Sequence, residues 1–274
     1  MKPPKGRQPM LDMCADGRPE CVDVTIASMR QRFEPLARVC DHDGVFALAY
    51  LRTTQTYKWA RDQPGFFADT AWVNHEDAVF AEYYFAAYDN WAAGRREAVS
   101  EAWTIAFDAA RTREVTGAGD LLLGMNAHIN RDLPYALADV GLTGPGGLSR
   151  KPDHDRVNRF LQAVTTPLAA ELTARFDPAS FSAVPGDPLF PLLAAWREHA
   201  WRNAELLAQA PDDAVRVVVE AQINAWAAIQ ARTIMTLTAY LPPLTSNTAR
   251  DRYCAQHHGD PAPIAYPFGT PEPY

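Results

Sequence analysis

The sequence predicts an all-α fold, a single-domain helical bundle of about seven to eight helices around a central, kinked helix. Three observations carry that expectation. Hydrophobic residues make up 47% and aromatics 11% of the 274 positions, with 7 Trp, whereas Gly is sparse at 15 and long alternating Val/Ile/Thr runs are absent. Apolar residues recur every three to four positions between well-spaced Gly and Pro breaks, as in amphipathic helices. No internal repeat and no Gly/Ser-rich linker divides the chain, which is long enough to bury about three quarters of its unfolded surface in one core.

Residues 1–20 combine Pro, Gly and charge without periodicity and are expected to form a flexible N-terminal arm. The helical domain spans 21–243, and a Pro-rich C-terminal tail with little regular structure spans 244–274. From Asp23 onward, Val24, Ala27, Met29, Phe33 and Leu36 keep helical spacing up to a turn at Gly44. Val45, Leu48, Leu51, Tyr57 and Trp59 form a second helix, ended by Pro64-Gly65. A third segment holds nine aromatics between Phe66 and Trp91, and Asn74 followed by Asp77 has the form of a cap, which places the helix at 75–93. Its aromatic stripe is either core packing or the wall of a pocket for a hydrophobic ligand.

Residues 95–113 make a fourth amphipathic helix, and Gly117-Ala118-Gly119-Asp120 separates it from the central one, with Asp120 as N-cap. After a glycine-rich loop at 141–147, Asp153-His154-Asp155 opens a helix that runs to about Phe176. A Pro-rich connection at 177–191 leads to two long antiparallel helices at 188–210 and 212–240. Trp196, Trp201, Leu206, Val217, Trp226, Ile229 and Ile234 are assigned to their buried seams.

The stretch Gly124-Met125-Asn126-Ala127-His128-Ile129-Asn130-Arg131-Asp132-Leu133-Pro134 concentrates hydrogen-bonding side chains in an apolar segment. On a helix, Leu121, His128, Asp132, Tyr135 and Asp139 share one stripe, while Asn126, Asn130, Leu133 and Leu137 lie roughly opposite. A helix with polar and apolar residues all round is a central one, and its buried polar groups need partners because an unpaired group costs about 1–3 kcal/mol. Pro134 removes an N–H and displaces the carbonyl of Asn130, so the helix either kinks there or ends near Leu133 and restarts.

His128 and Asp132 stand one turn apart, and three readings of the pair compete. It can be a structural pair, an acid/base pair in which Asp132 orients His128, or part of a divalent-metal site completed by Asp77, with His154 or Asp155 in support. The His-x-x-x-Asp spacing is similar to helical zinc phosphoesterases, but the other histidines show no comparable spacing, and no cofactor is expected. Cys254-Ala255-Gln256-His257-His258 reads as surface tail, not as a zinc site. Asn126 and Asn130 either polarise a carbonyl or satisfy backbone freed at the kink. Asp155 and Asn158, three apart, either face one partner or leave Asp153 or Asp155 as an N-cap, and Arg197 with Trp201 lines either the same cavity or the surface.

The leading expectation is an enzyme that acts by acid/base chemistry on a hydrophobic small molecule, such as a biosynthetic intermediate, through cyclisation, isomerisation or elimination. His128 is its general acid or base, Asp132 the orienting partner, Asn126 and Asn130 the polarising donors. Asp77, Asp155 and Asn158 contact the substrate, and Phe80, Tyr84 and Trp103 are apolar walls. The alternatives are a metal-dependent hydrolase of the zinc phosphoesterase type and a non-catalytic small-molecule-binding or scaffold protein.

A net charge of −7, from 26 Lys+Arg against 33 Asp+Glu, argues against a nucleic-acid surface. No Gly-x-Ser-x-Gly elbow, phosphate-binding glycine loop or dinucleotide fingerprint occurs, which disfavours serine hydrolases, kinases and nicotinamide enzymes. The sequence shows neither a membrane-spanning apolar run nor the apolar core of a signal peptide, so the protein is expected in the cytoplasm. Cys14, Cys21, Cys40 and Cys254 are too few and scattered for a disulfide framework; free thiols are the default, with a Cys14–Cys21 pair or metal as the alternative.

The motif from Gly124 to Pro134 resembles that of a mainly actinobacterial family catalogued as a domain of unknown function. The segment Val79-Phe80-Ala81-Glu82-Tyr83-Tyr84-Phe85 with Asp77 before it, and Asp155-Arg156-Val157-Asn158, support the resemblance, which covers roughly residues 33–240. It implies a helical fold and carries no agreed activity.

Overall fold

The computed structural model describes residues 14–179 and 189–271. Most of the expected N-terminal arm, much of the 177–191 connection and the last tail residues lie outside them. The apolar spacing folds as α1 (Glu20–Arg38), α2 (Asp43–Arg61), α3 (Thr70–Ala92), α4 (Glu101–Thr112) and α5 (Gly117–Asn126). A π-helical segment (Ala127–Asp132) joins α5 to α6 (Leu133–Val140); α7 (Lys151–Arg175), α8 (Leu189–Gln209), α9 (Asp213–Thr238) and α10 (Asn247–His257) follow. Among the described residues there is no β-sheet, only isolated bridges. None of the described helices is long and apolar enough to cross a membrane.

The kink expected at Pro134 takes the form of a change of register. Pro134 has no N–H to return to Asn130, and the chain widens just before it, so that Leu133 N–H reaches back five residues to the His128 carbonyl. Every residue from Ala127 to Asp132 is buried, with α3, α4, α8 and α9 packed around the segment. Helix α2 is the other inner element, sandwiched by α1, α5 and α7. Gly124 sets the spacing between α2 and α5, because a Cβ there would lie 2.3 Å from the Phe46 ring.

Several local expectations are corrected by what the side chains bind. Helix α3 starts at Thr70, because Asp69 accepts from Trp72 N–H at 3.0 Å and caps it. Asn74 sits inside the helix, accepting from Tyr57 Oη (2.5 Å) and donating to the Gly17 carbonyl (2.8 Å). Helix α5 is capped by Thr116, while Asp120 is buried against His42. In the α8–α9 pair, Trp196, Trp201 and Ile234 are buried as expected, but Leu206, Val217, Trp226 and Ile229 are exposed. The inward stripe of α9 is Val219, Ile223, Ala227, Ala231 and Ile234; the helix is apolar on several sides, so periodicity alone does not pick the buried one.

The free-thiol expectation fails outright: Cys14 bridges Cys21, and Cys40 bridges Cys254 across 214 residues of sequence. Such bridges are rare in a reducing cytosol, which weighs against the cytoplasmic expectation. The tail is not structureless either. Helix α10 buries Arg250 and Cys254, one turn apart, against the body, and beyond it Tyr266 is buried with its hydroxyl donating to Glu171 at 2.7 Å.

Candidate functional site

One stripe from each of five elements faces a common cavity of about 730 Å³, its open mouth included. From α2 come Phe46, Tyr50, Thr54 and Tyr57, and from α3 come Val73, Glu76, Asp77 and Phe80. The π segment and its approach give Met125, His128 and Ile129. Val157, Phe160 and Leu161 of α7 and Leu193 and Arg197 of α8 close the space. The spacings are the i, i+3, i+4, i+7 of single helix faces, so most of the wall is apolar and a few polar groups interrupt it.

His128 is the most constrained of these. Its ring stacks flat on Phe80, with centroids 3.5 Å apart at 5°, and meets the edge of Tyr50 at 4.5 Å. Its Nδ1 lies 3.3 Å from Asp132 Oδ2, and that carboxylate also accepts from Trp103 Nε1 (2.7 Å) and Arg131 Nη1 (2.7 Å). A carboxylate can only accept, which fixes the proton on Nδ1 and leaves Nε2 as a basic lone pair. Nε2 is buried without a partner. Burial holds the imidazole below its ordinary pKa against the opposing pull of Asp132, so His128 is neutral at neutral pH.

The acids on α3 behave in the opposite way. Burial, helped by the neighbouring Glu76 charge, pushes Asp77 well above the usual carboxylate range, and its Oδ2 has no partner. Burial raises Glu76 to about 7 despite the attraction of Arg197. Tyr50 Oη and Thr54 Oγ1 are likewise buried and unpartnered. The cavity therefore brings a neutral base and carboxyls that hold their protons to neutrality into one apolar enclosure.

Of the residues expected to form a site, His128, Asp77 and Phe80 line the cavity together. Asp132 does not line the cavity and stands behind His128, its carboxylate 3.3 Å from Nδ1. Tyr84 and Trp103 lie beyond Phe46, around a separate narrow cleft, so neither is a wall of the main cavity. Trp103 instead supplies an N–H to Asp132. Asn126 and Asn130 are turned away: Asn126 Nδ2 donates to the Ala227 carbonyl of α9 (2.9 Å), and Asn130 Nδ2 donates to Asn126 Oδ1 (3.0 Å). Asp155 is exposed and tied to Lys151, and Asn158 accepts from Arg197 Nε at 3.0 Å. Arg197 lines the cavity, whereas Trp201 binds Glu205.

Sequence reasoning misses Tyr50, Thr54 and Glu76 as cavity residues. Their signal is a polar residue recurring on the inner stripe of an otherwise apolar helix. Among the described residues, no group of three or more His, Cys, Asp or Glu side chains is placed to hold a metal ion. His128 and Asp132 face each other, not a shared third point.

No curated protein and no solved structure matches this chain. Its sequence does match the family of unknown function DUF5995 over residues 22–237, from the start of α1 to the end of α9, so that the helices around the cavity are the matched region and the chain belongs to that family.

Proposed function

We propose that this protein is an enzyme that moves protons on a hydrophobic small molecule enclosed by the helices, by isomerisation, elimination or cyclisation. One observation supports the reading above others. Four buried polar atoms without partners, Tyr50 Oη, Thr54 Oγ1, Asp77 Oδ2 and His128 Nε2, belong to residues lining a single aromatic cavity. Each orphan costs about 1–3 kcal/mol, a penalty that a guest can remove and that packing alone gives no reason to keep. His128 Nε2 takes a proton from the guest, Asp132 stabilises the imidazolium so formed, and a protonated Asp77 or Glu76 returns a proton elsewhere on it. The apolar walls exclude water and strengthen each contact.

The test is solvent-isotope exchange. Wild-type protein incubated in heavy water with a panel of lipophilic β,γ-unsaturated acids and ketones introduces deuterium at carbon, read by mass spectrometry. His128→Ala lowers that rate by about 10²–10⁴-fold. An unchanged rate in the variant removes His128 from the chemistry. Binding without exchange across the panel turns the reading to a non-catalytic binding protein, and exchange lost on chelator treatment turns it to a metal enzyme.

A further inference from the structure

Among the described residues five arginines are buried: Arg52, Arg131, Arg175, Arg197 and Arg250. Four of them have a carboxylate oxygen within 3.2 Å, Arg52 and Arg175 at Glu171, Arg131 at Asp132, and Arg250 at Asp251. Arg197 differs. Its guanidinium is held by neutral acceptors, Asn158 Oδ1 (3.0 Å), the His154 carbonyl (2.9 Å) and His154 Nδ1 (3.2 Å). His154 is held neutral by burial and by the charges of Arg197 and Lys151. Its Nε2–H donates to the Arg197 carbonyl at 3.3 Å, which leaves Nδ1 free to accept from the guanidinium.

A buried charge is ordinarily paired, because leaving it alone is expensive. Here the scaffold orients the cation with three neutral contacts and, among the described residues, bonds no carboxylate to it, although Arg197 lines the apolar cavity. Glu76 and Asp155 act on Arg197 only through space, and burial keeps Glu76 protonated up to about 7. Building on the reading that the cavity takes an apolar guest, we propose that this guest is a lipophilic monocarboxylate whose carboxylate pairs with Arg197. The planar fork of a guanidinium matches a carboxylate. A dianionic phosphate fits less well, since one cation faces it and Glu76 and Asp77 line the same space. Apolar side chains such as Phe80, Phe160 and Leu193 then take the body of the acid.

The test is titration calorimetry with decanoate and naphthylacetate, their methyl esters, and a phosphate monoester of the same alkyl chain. Wild-type protein prefers the acids over the esters by about thirtyfold or more. Arg197→Met abolishes that preference without lowering ester affinity, and its melting temperature is equal to or above wild type, because a lone buried charge has been removed. Arg197→Lys keeps the charge but loses the fork, and retains a weaker preference for acids. Equal binding of acids and esters in wild type overturns the carboxylate while leaving an apolar guest standing. A preference for the phosphate overturns it as well, and failure of every probe to bind overturns both readings. Isotope exchange in wild type with no preference for acids overturns the carboxylate alone, and a preference for acids lost in Arg197→Met without isotope exchange overturns the chemistry alone, so the two proposals fail separately.

Discussion

Two buried histidines sit beside aspartates in this molecule, and they are built differently. His42 has both ring nitrogens engaged, Nδ1 2.9 Å from Asp120 and Nε2 3.1 Å from Asp251, which tie α2 to α5 and α10. His128 has one nitrogen engaged, and the other belongs to a ring lining a cavity. The first arrangement joins elements far apart in sequence. In the second, both partners come from one helical turn, so the pair joins no separate elements. The saturated histidine serves the fold, and the unsaturated one is what the proposed guest would meet.

The sharpest way to break this comparison is to remove each ring and measure stability. His42→Ala leaves Asp120, which is 5% exposed, without its imidazole and cuts the link to α10. The expected loss is about 3 kcal/mol. His128→Ala leaves Asp132 with both Arg131 and Trp103, next to space that already exists, and costs about 1–2 kcal/mol. Urea unfolding of the two variants decides it, and the reverse order would sink the distinction.

The acids opposite His128 extend the contrast to pH. Glu76 titrates near 4.5 in an unfolded chain and at about 7 in the fold, so between those values the folded protein holds a proton the unfolded chain has lost. Stability therefore falls as pH rises from about 4.5 to about 7 and stays lower above. His128 has the opposite sign: burial keeps it neutral, and stability falls as pH drops below its ordinary value of 6.5. Glu76→Gln removes the alkaline penalty, gaining about 2 kcal/mol relative to wild type at pH ~8 and little at pH ~4. A gain that does not vary with pH would show that Glu76 is not held protonated.

The helices and the central polar segment were legible because burial imposes a period that composition displays. Val73, Asp77 and Phe80 or Val157, Phe160 and Leu161 repeat at helical spacing whatever lies opposite. The His128–Asp132 pair was legible because both partners belong to one turn. What stayed hidden depends on contacts between distant parts of the chain. Cys40 and Cys254 are brought to a Cα separation of 5.9 Å only by the fold. Helix α10 buries little more than Arg250 and Cys254 and so leaves no apolar stripe to read. Asn126 and Asn130 looked like site residues because amides can polarise a carbonyl, but the α9 carbonyl that engages Asn126 lies 101 residues away. Trp103 looked like a wall because its ring is apolar, and its single N–H turned out to decide its place.

That N–H gives the finest test of how His128 is held. Trp103→Phe preserves an aromatic ring against Phe107, now stacked at 4.9 Å, and deletes the 2.7 Å donor to Asp132. The lost hydrogen bond costs about 1 kcal/mol of stability. Asp132 keeps its contact with Arg131 but gains freedom to rotate away from His128 Nδ1. The proton on the imidazole is then less strictly confined to Nδ1, and nitrogen chemical shifts report the two tautomers directly. His128 shifts should move toward a mixture while those of His42, held by a separate pair of aspartates, stay where they are. If both histidines keep their wild-type shifts, Asp132 does not set the tautomer, and the His128 ring is oriented by the Phe80 stack alone.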